Sequence, residues 1–203
     1  MVPINQITSQ ETNRMPVTTI DDKTALIVVD LQKGIINSPT IHPISGVIER
    51  SCALIVAFRQ HGLPVVLVNV AGGAPGRTEQ PRRHAALPEG FSDLLPELNK
   101  EPGDIVVTKQ TWGAFSSTDL ESQLKAKGVT QVVLAGVATG TGVEATARQA
   151  YEHGFNVTLA VDAMTDTRPE SHAYSLSHVF PRLGETGTTQ EIIDLLAKRI
   201  SNK

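Results

Sequence analysis

The sequence predicts an α/β domain built on a mostly parallel sheet with helices on both faces. Short apolar runs rich in β-branched residues recur at Ala25–Asp30 (ALIVVD), Pro64–Val70 (PVVLVNV), Asp104–Thr108 (DIVVT), Gln131–Ala135 (QVVLA) and Asn156–Val161 (NVTLAV). They are continuously apolar rather than alternating, as strands are when both faces of their sheet are covered. Segments of helical spacing separate them, and regular alternation of strand and helix favours parallel strands.

Each connecting element has its own signal. Ser45–His61 places Val47, Ile48, Leu54, Ile55 and Phe58 on one side of a helix that closes at Gly62. Residues 71–90 form a long loop rich in Gly, Pro and Arg. Its Arg77, Arg82, Arg83 and His84 are expected mainly as solvated surface, although loops of this length often cover sites. Ser92–Asn99 reads as a short helix interrupted by Pro96. Thr118 and Glu121 form a capping-box pair that opens a helix ending near Gly128. Gly142–His153 reads as a helix leaving through Gly154 in the left-handed conformation. Pro169–Val179 is helical by pattern, and Thr188 with Glu191 caps a last helix running to about Arg199. Glu144 and Arg148, four residues apart, suit a structural ion pair.

Composition narrows the function. The chain has 203 residues, enough for one domain with a sizeable core. It carries 18 basic and 21 acidic residues, net charge −3, with no single-sign block. Neither nucleic acid nor a membrane surface is therefore an expected partner. No apolar run reaches the roughly 18 residues of a membrane span. Residues 1–22 read as a polar, loosely held arm without a signal-peptide core, ahead of a domain over 23–203. Cytoplasmic residence is the expectation. The single cysteine, Cys52, rules out an intrachain disulfide and a cysteine-rich metal site. It lies within the first predicted helix and reads as a packing residue.

Ligands of open α/β sheets bind outside the carboxyl ends of the strands. Asp30 ends the first apolar run, Lys109 follows the third, and a turn from Gly136 to Gly142 links the fourth to a helix. A carboxylate, an ammonium and a helix start thus share one edge. Burial disfavours a charged Asp30 while Lys109 favours it, and such opposed influences typify working acids and bases. Alone, Asp30 reads equally well as a turn former and Lys109 as a solvated amine; their convergence is what raises both. Amides at the helix start can attract an anion. Trp112 and Phe115, close after Lys109, read as an aromatic wall. The glycines run G-x-x-x-G-x-G rather than G-x-G-x-x-G, and Asn69-Val70 ends the second run where a ribose-binding acid would stand. No dinucleotide or other cofactor is expected. His172 and His178 lie six apart, off a single helical face, so no metal is expected either.

Four stretches together resemble the motifs of isochorismatase-like hydrolases, in order, over about residues 22–200. They are Ala25-Leu-Ile-Val-Val-Asp-Leu-Gln32, Thr108-Lys-Gln-Thr-Trp-Gly-Ala-Phe-Ser-Ser-Thr-Asp-Leu120, Gly136-Val-Ala-Thr139 with Gly142-Val-Glu-Ala-Thr-Ala-Arg148, and Asp162-Ala-Met-Thr-Asp166. The resemblance implies a three-layer α/β/α, Rossmann-like fold with a mostly parallel sheet of about six strands. It also implies a cavity near the strand ends, a cis peptide at Val137–Ala138, and a homo-oligomer, dimer or tetramer. Amidase members of that family attack with a cysteine at the first turn of the helix, where this chain has Gly142. The metal ligands that nicotinamidases carry after the second strand are also replaced, by Asn69-Val-Ala-Gly-Gly-Ala-Pro75.

The implied activity is cysteine-independent hydrolysis of a small carboxylated molecule, of the vinyl-ether type. Asp30 would be the general acid, and Lys109 would hold the substrate or Asp30. Val137, Ala138, Thr139, Gly140, Thr141, Gly142 and Val143, with Gln32, Trp112 and Phe115, would bind substrate or a developing oxyanion. Two alternatives stand beside it: a catalytically silent small-molecule-binding protein, and an amide hydrolase with a non-cysteine nucleophile. Thr139 and Thr141 flank the site but lack an evident activating base.

Overall fold

The computed structural model describes residues 16–79 and 87–201. In chain order the elements are β1 (Thr24–Val29), α1 (Ile44–Gln60), β2 (Val65–Val70), β3 (Ile105–Lys109), α2 (Leu120–Ala126), β4 (Gln131–Val137), α3 (Glu144–Glu152), β5 (Asn156–Thr165), α4 (Pro169–Tyr174), β6 (Glu185–Gly187) and α5 (Thr189–Ser201). The strands form one six-stranded sheet, ordered β3-β2-β1-β4-β5-β6, with every neighbouring pair parallel. The chain steps outward from β1 to β3, then returns to the other side of β1. The β1/β4 junction is therefore a topological switch point, where a crevice opens beyond the strand ends.

All six residues of β1 are buried, because successive side chains enter opposite layers. Ala25, Ile27 and Val29 pack with Leu120 and Leu124 of α2 and Ala147 and Ala150 of α3. Leu26 and Val28 pack with Leu54 and Phe58 of α1 and Ile192 and Leu196 of α5. The result is a three-layer α/β/α sandwich whose central strand is dry on both faces.

Several local expectations need correction. Ser92–Asn99 is not a helix: Pro96 opens a single tight turn, Pro96–Leu98, that ends at Asn99 with φ 45°. Thr118 does not form a capping box, because its hydroxyl donates to the Ala114 carbonyl at 2.6 Å and α2 starts later, at Leu120. The cap of α5 does form: the Thr188 N–H donates to Glu191 Oε2 at 2.6 Å, and the Glu191 N–H donates to Thr188 Oγ1 at 3.2 Å. Gly154 leaves α3 with φ +82°, the left-handed exit its position requires. The Pro169–Val179 segment is regular only to Tyr174 and then widens over Ser175–Val179. Strand β6 (Glu-Thr-Gly) has no apolar run to announce it.

The end of the N-terminal arm is packed, not loose. The Val17 N–H donates to the Thr186 carbonyl of β6 at 2.9 Å, and Val17 and Ile20 are buried beside α5. Residues 1–15 lie outside the described residues. Cys52 is half-buried against the α1 layer, and its thiol donates to the Glu97 carbonyl at 3.2 Å. Among the described residues no helix is long and apolar enough to cross a membrane.

Candidate active site

Asp30 follows the last residue of β1. Its N–H still continues the sheet, donating to the Val68 carbonyl at 2.9 Å, but its φ is +52°. Asp is among the few non-glycine residues that tolerate this region. Lys109 ends β3, two strands away. Adjacent strands are about 4.8 Å apart, so only a long side chain can cross beyond the end of β2. The Lys109 ammonium donates to Asp30 Oδ2 at 2.8 Å and to the Thr111 carbonyl at 3.2 Å. Both groups are buried, with Asp30 6% and Lys109 1% exposed.

The other carboxyl oxygen, Asp30 Oδ1, is buried and has no hydrogen-bond partner. Burial raises the Asp30 pKa from 3.8 to about 6, and the charge and hydrogen bond of Lys109 oppose that rise only in part. One oxygen is thus anchored and the other is left for a ligand. The pair forms part of the lining of a hollow of about 730 Å³, together with Val70, Leu87, Phe91, Trp112, Ala138 and Gly142.

The segment after β4 differs from the expected helix start. Residues Thr139–Val143 make one wide turn before α3 begins at Glu144. The Thr141 and Val143 N–H groups both donate to the Ala138 carbonyl at 3.1 Å. The Gly140 N–H donates to Asp166 Oδ2 at 2.7 Å. The amides of Gly140, Thr141 and Val143, expected to receive an oxyanion, are therefore already engaged. The Val137–Ala138 peptide bond is cis. Ala138 borders the hollow.

Of the turn residues, Ala138, Thr141 and Gly142 line the hollow, whereas Val137, Thr139 and Val143 do not. Thr139 is buried with its hydroxyl 2.9 Å from His172 Nδ1, and Val143 lies in the core beneath α3. Burial, chiefly, and the charge of His42 lower the His172 pKa, while Asp166 opposes them. Gly142 stands against Asp30: a Cβ there would lie 3.0 Å from Asp30 Oδ2 and 3.1 Å from the Val137 carbonyl.

Two further expectations fail for stated reasons. Gln32 is fully buried and does not line the hollow. Its Nε2 donates to the carbonyls of Val70 (3.0 Å) and Phe91 (2.9 Å), and its Oε1 accepts the Val70 N–H at 2.7 Å. It clamps the end of β2 to the following loop. Phe115 is in the core, with ring centroids 5.9 Å from Phe155 and 5.3 Å from His153, so it is no wall of the site. Trp112 does stand at the rim, 69% exposed. Arg77 is exposed and does not line the hollow, and Arg82, Arg83 and His84 lie outside the described residues.

Glu144 and Arg148 pair at 2.9 Å, and Glu144 also accepts the Ser175 hydroxyl at 2.6 Å. Sequence reasoning assigned no role to Asp166, Thr146 or Gln149, which brace the turn and the loop after β3. Asp166 ends the fourth motif, and Thr146 lies one helical turn after Gly142; those positions were the available signals.

The family model described as the isochorismatase domain matches residues 24–191. The isochorismatase family protein YwoC of Bacillus subtilis is 38% identical over 179 residues, covering 85% of this chain and 93% of its own. A ureidoacrylate amidohydrolase, RutB of Methylobacterium radiotolerans, is 32% identical over 188 residues, covering 77% of this chain and 72% of its own. Among solved structures, an isochorismatase family protein of Burkholderia thailandensis superposes with a TM-score of 0.84 at 36% identity, covering 88% of this chain and 98% of that one. With the match spanning every strand and both buried charges, this chain belongs to the isochorismatase family of hydrolases.

Proposed function

We propose that the protein hydrolyses a small carboxylated vinyl ether without a covalent intermediate, with Asp30 as general acid. The observation that carries this reading is that Asp30, which keeps a buried, unpartnered Oδ1, lines a hollow where Gly142 leaves the nucleophile's place free. Protonated Asp30 delivers its proton to the terminal methylene carbon of the enol ether, forming a C–H bond and an oxocarbenium ion. Water adds to that cation, and its lost proton returns to the Asp30 carboxylate. The hemiketal then collapses to an alcohol and a keto acid. Lys109 holds Oδ2, so the transferable proton resides on Oδ1.

A second reading, amide hydrolysis, is favoured by relatives named as amidohydrolases, among them RutB and the maleamate amidohydrolase of Pseudomonas putida. It needs a nucleophile. The Thr141 hydroxyl borders the hollow, but its partner is the Ala138 carbonyl at 3.5 Å, which is no base.

Pyruvate release from isochorismate or chorismate tests the proposal. The wild type is expected to release pyruvate. Gly142→Ala is expected to slow release about tenfold, because its methyl crowds Asp30 and overpacking costs about 1–3 kcal/mol. Turnover of amides by a wild type inert towards carboxylated vinyl ethers would overturn the proposal.

A further inference from the structure

The two halves of the site come from distant parts of the chain, and one hydroxyl joins them. One half is the loop after β3. It carries Trp112 at the rim and the Thr111 carbonyl that receives the Lys109 ammonium. The other half is the wide turn that sets Gly142 against Asp30. Thr146, fully buried on the first turn of α3, touches both. Its Oγ1 donates to the Gly142 carbonyl at 2.7 Å and accepts the Ala114 N–H at 3.1 Å.

A threonine hydroxyl has one proton to give and lone pairs to receive, so it serves both bonds at once. Gln149, nearly one turn further along α3, adds a hold on the loop half alone. Its Oε1 accepts the Phe115 N–H at 3.0 Å, and its Nε2 donates to Ser116 Oγ at 2.5 Å. Residues 111–116 belong to no helix or strand, and Thr139-Gly-Thr-Gly-Val143 contains two glycines and no strong helix former. The 111–116 loop has no helix or strand to hold it, and the turn's own backbone bonds, from the Thr141 and Val143 N–H groups to the Ala138 carbonyl, do not reach the loop.

We propose that Thr146, seconded by Gln149, is a positioning residue that sets the Trp112 loop in register with the Gly142 turn. The assignment does not depend on which bond the enzyme cleaves, so it stands or falls apart from the vinyl-ether reading.

Trp112 is the only tryptophan in the chain, so its fluorescence reports on this loop alone. Thr146→Val keeps the shape and removes both bonds; Thr146→Ser keeps the bonds. Thr24→Val is the control, because Thr24 is equally buried but bonds to the Asp21 carbonyl and Gln131 at the opposite end of the sheet. In Thr146→Val, amide hydrogen exchange over 111–116 is expected to quicken about fivefold, the factor for one lost hydrogen bond. Trp112 anisotropy is expected to drop. Thr146→Ser is expected to restore both readings, and Thr24→Val to lose thermal stability without changing either. If Thr146→Val leaves exchange and anisotropy at wild-type values, or if Thr24→Val changes them equally, Thr146 is only a core residue.

Discussion

Asp30→Asn is expected to lower kcat/KM for pyruvate release by about 10²–10⁴-fold, the contribution of a positioned general acid. Asparagine keeps the size of the side chain and an oxygen that can accept from Lys109, but carries no transferable proton. The loss should fall on catalysis and not on folding. The folded-state pKa of Asp30 is raised from 3.8 to about 6. Its stabilising contribution is therefore complete below about pH 3.8 and is lost as pH rises through about 6. The neutral amide imitates the protonated acid, so the variant escapes that alkaline loss. Circular dichroism and thermal melts at pH 5 and pH 8 check that the variant folds. Full activity in a folded variant would remove Asp30 from the chemistry.

Lys109→Met is the second large effect. Lys109 supplies the charge that opposes the desolvation of Asp30. Without it, the Asp30 pKa moves further up from about 6, and the acid stays protonated to higher pH. Removing one partner of a buried pair costs about 3 kcal/mol or more when the other stays charged. Here the remaining partner can take up a proton, so the deficit must grow with pH. Denaturant midpoints are expected to fall modestly at pH 5 and more at pH 8. The falling limb of the activity profile should shift to higher pH. A deficit that shrinks as pH rises would mean that Lys109, and not Asp30, bears the cost of the buried charge.

The sheet was legible because its central strands β1 and β4 are buried on both faces, and dryness writes itself as an uninterrupted apolar run; edge strand β3 carries such a run although its outer face, with Val106 and Thr108, is exposed. β6 was not legible: Glu185–Gly187 is three residues long and sits at the edge, where pairing and not side-chain character makes it a strand. Asp30 and Lys109 could be read from their positions at strand ends. Their contact follows from the strand order, since β2 lies between them and only the lysine stem can bridge it.

The turn at 139–143 was misjudged for a different reason. Its glycines signal freedom, which fits either an anion-binding helix start or a turn braced from outside. The choice is made by Asp166, 26 residues later, which takes the Gly140 N–H. Gln32 and Phe115 were misplaced because a motif fixes a position along the chain but not whether the side chain faces a cavity or a neighbouring backbone.

The pH dependence of kcat/KM for pyruvate release tests the role of Asp30 most directly. With Asp30 as the acid, activity is flat at low pH and falls about tenfold per pH unit above the raised Asp30 pKa of about 6, reporting the free enzyme. Activity that instead rises through pH 6 to a plateau would show that the carboxylate is the working form, acting as a base, and would contradict the proposed chemistry.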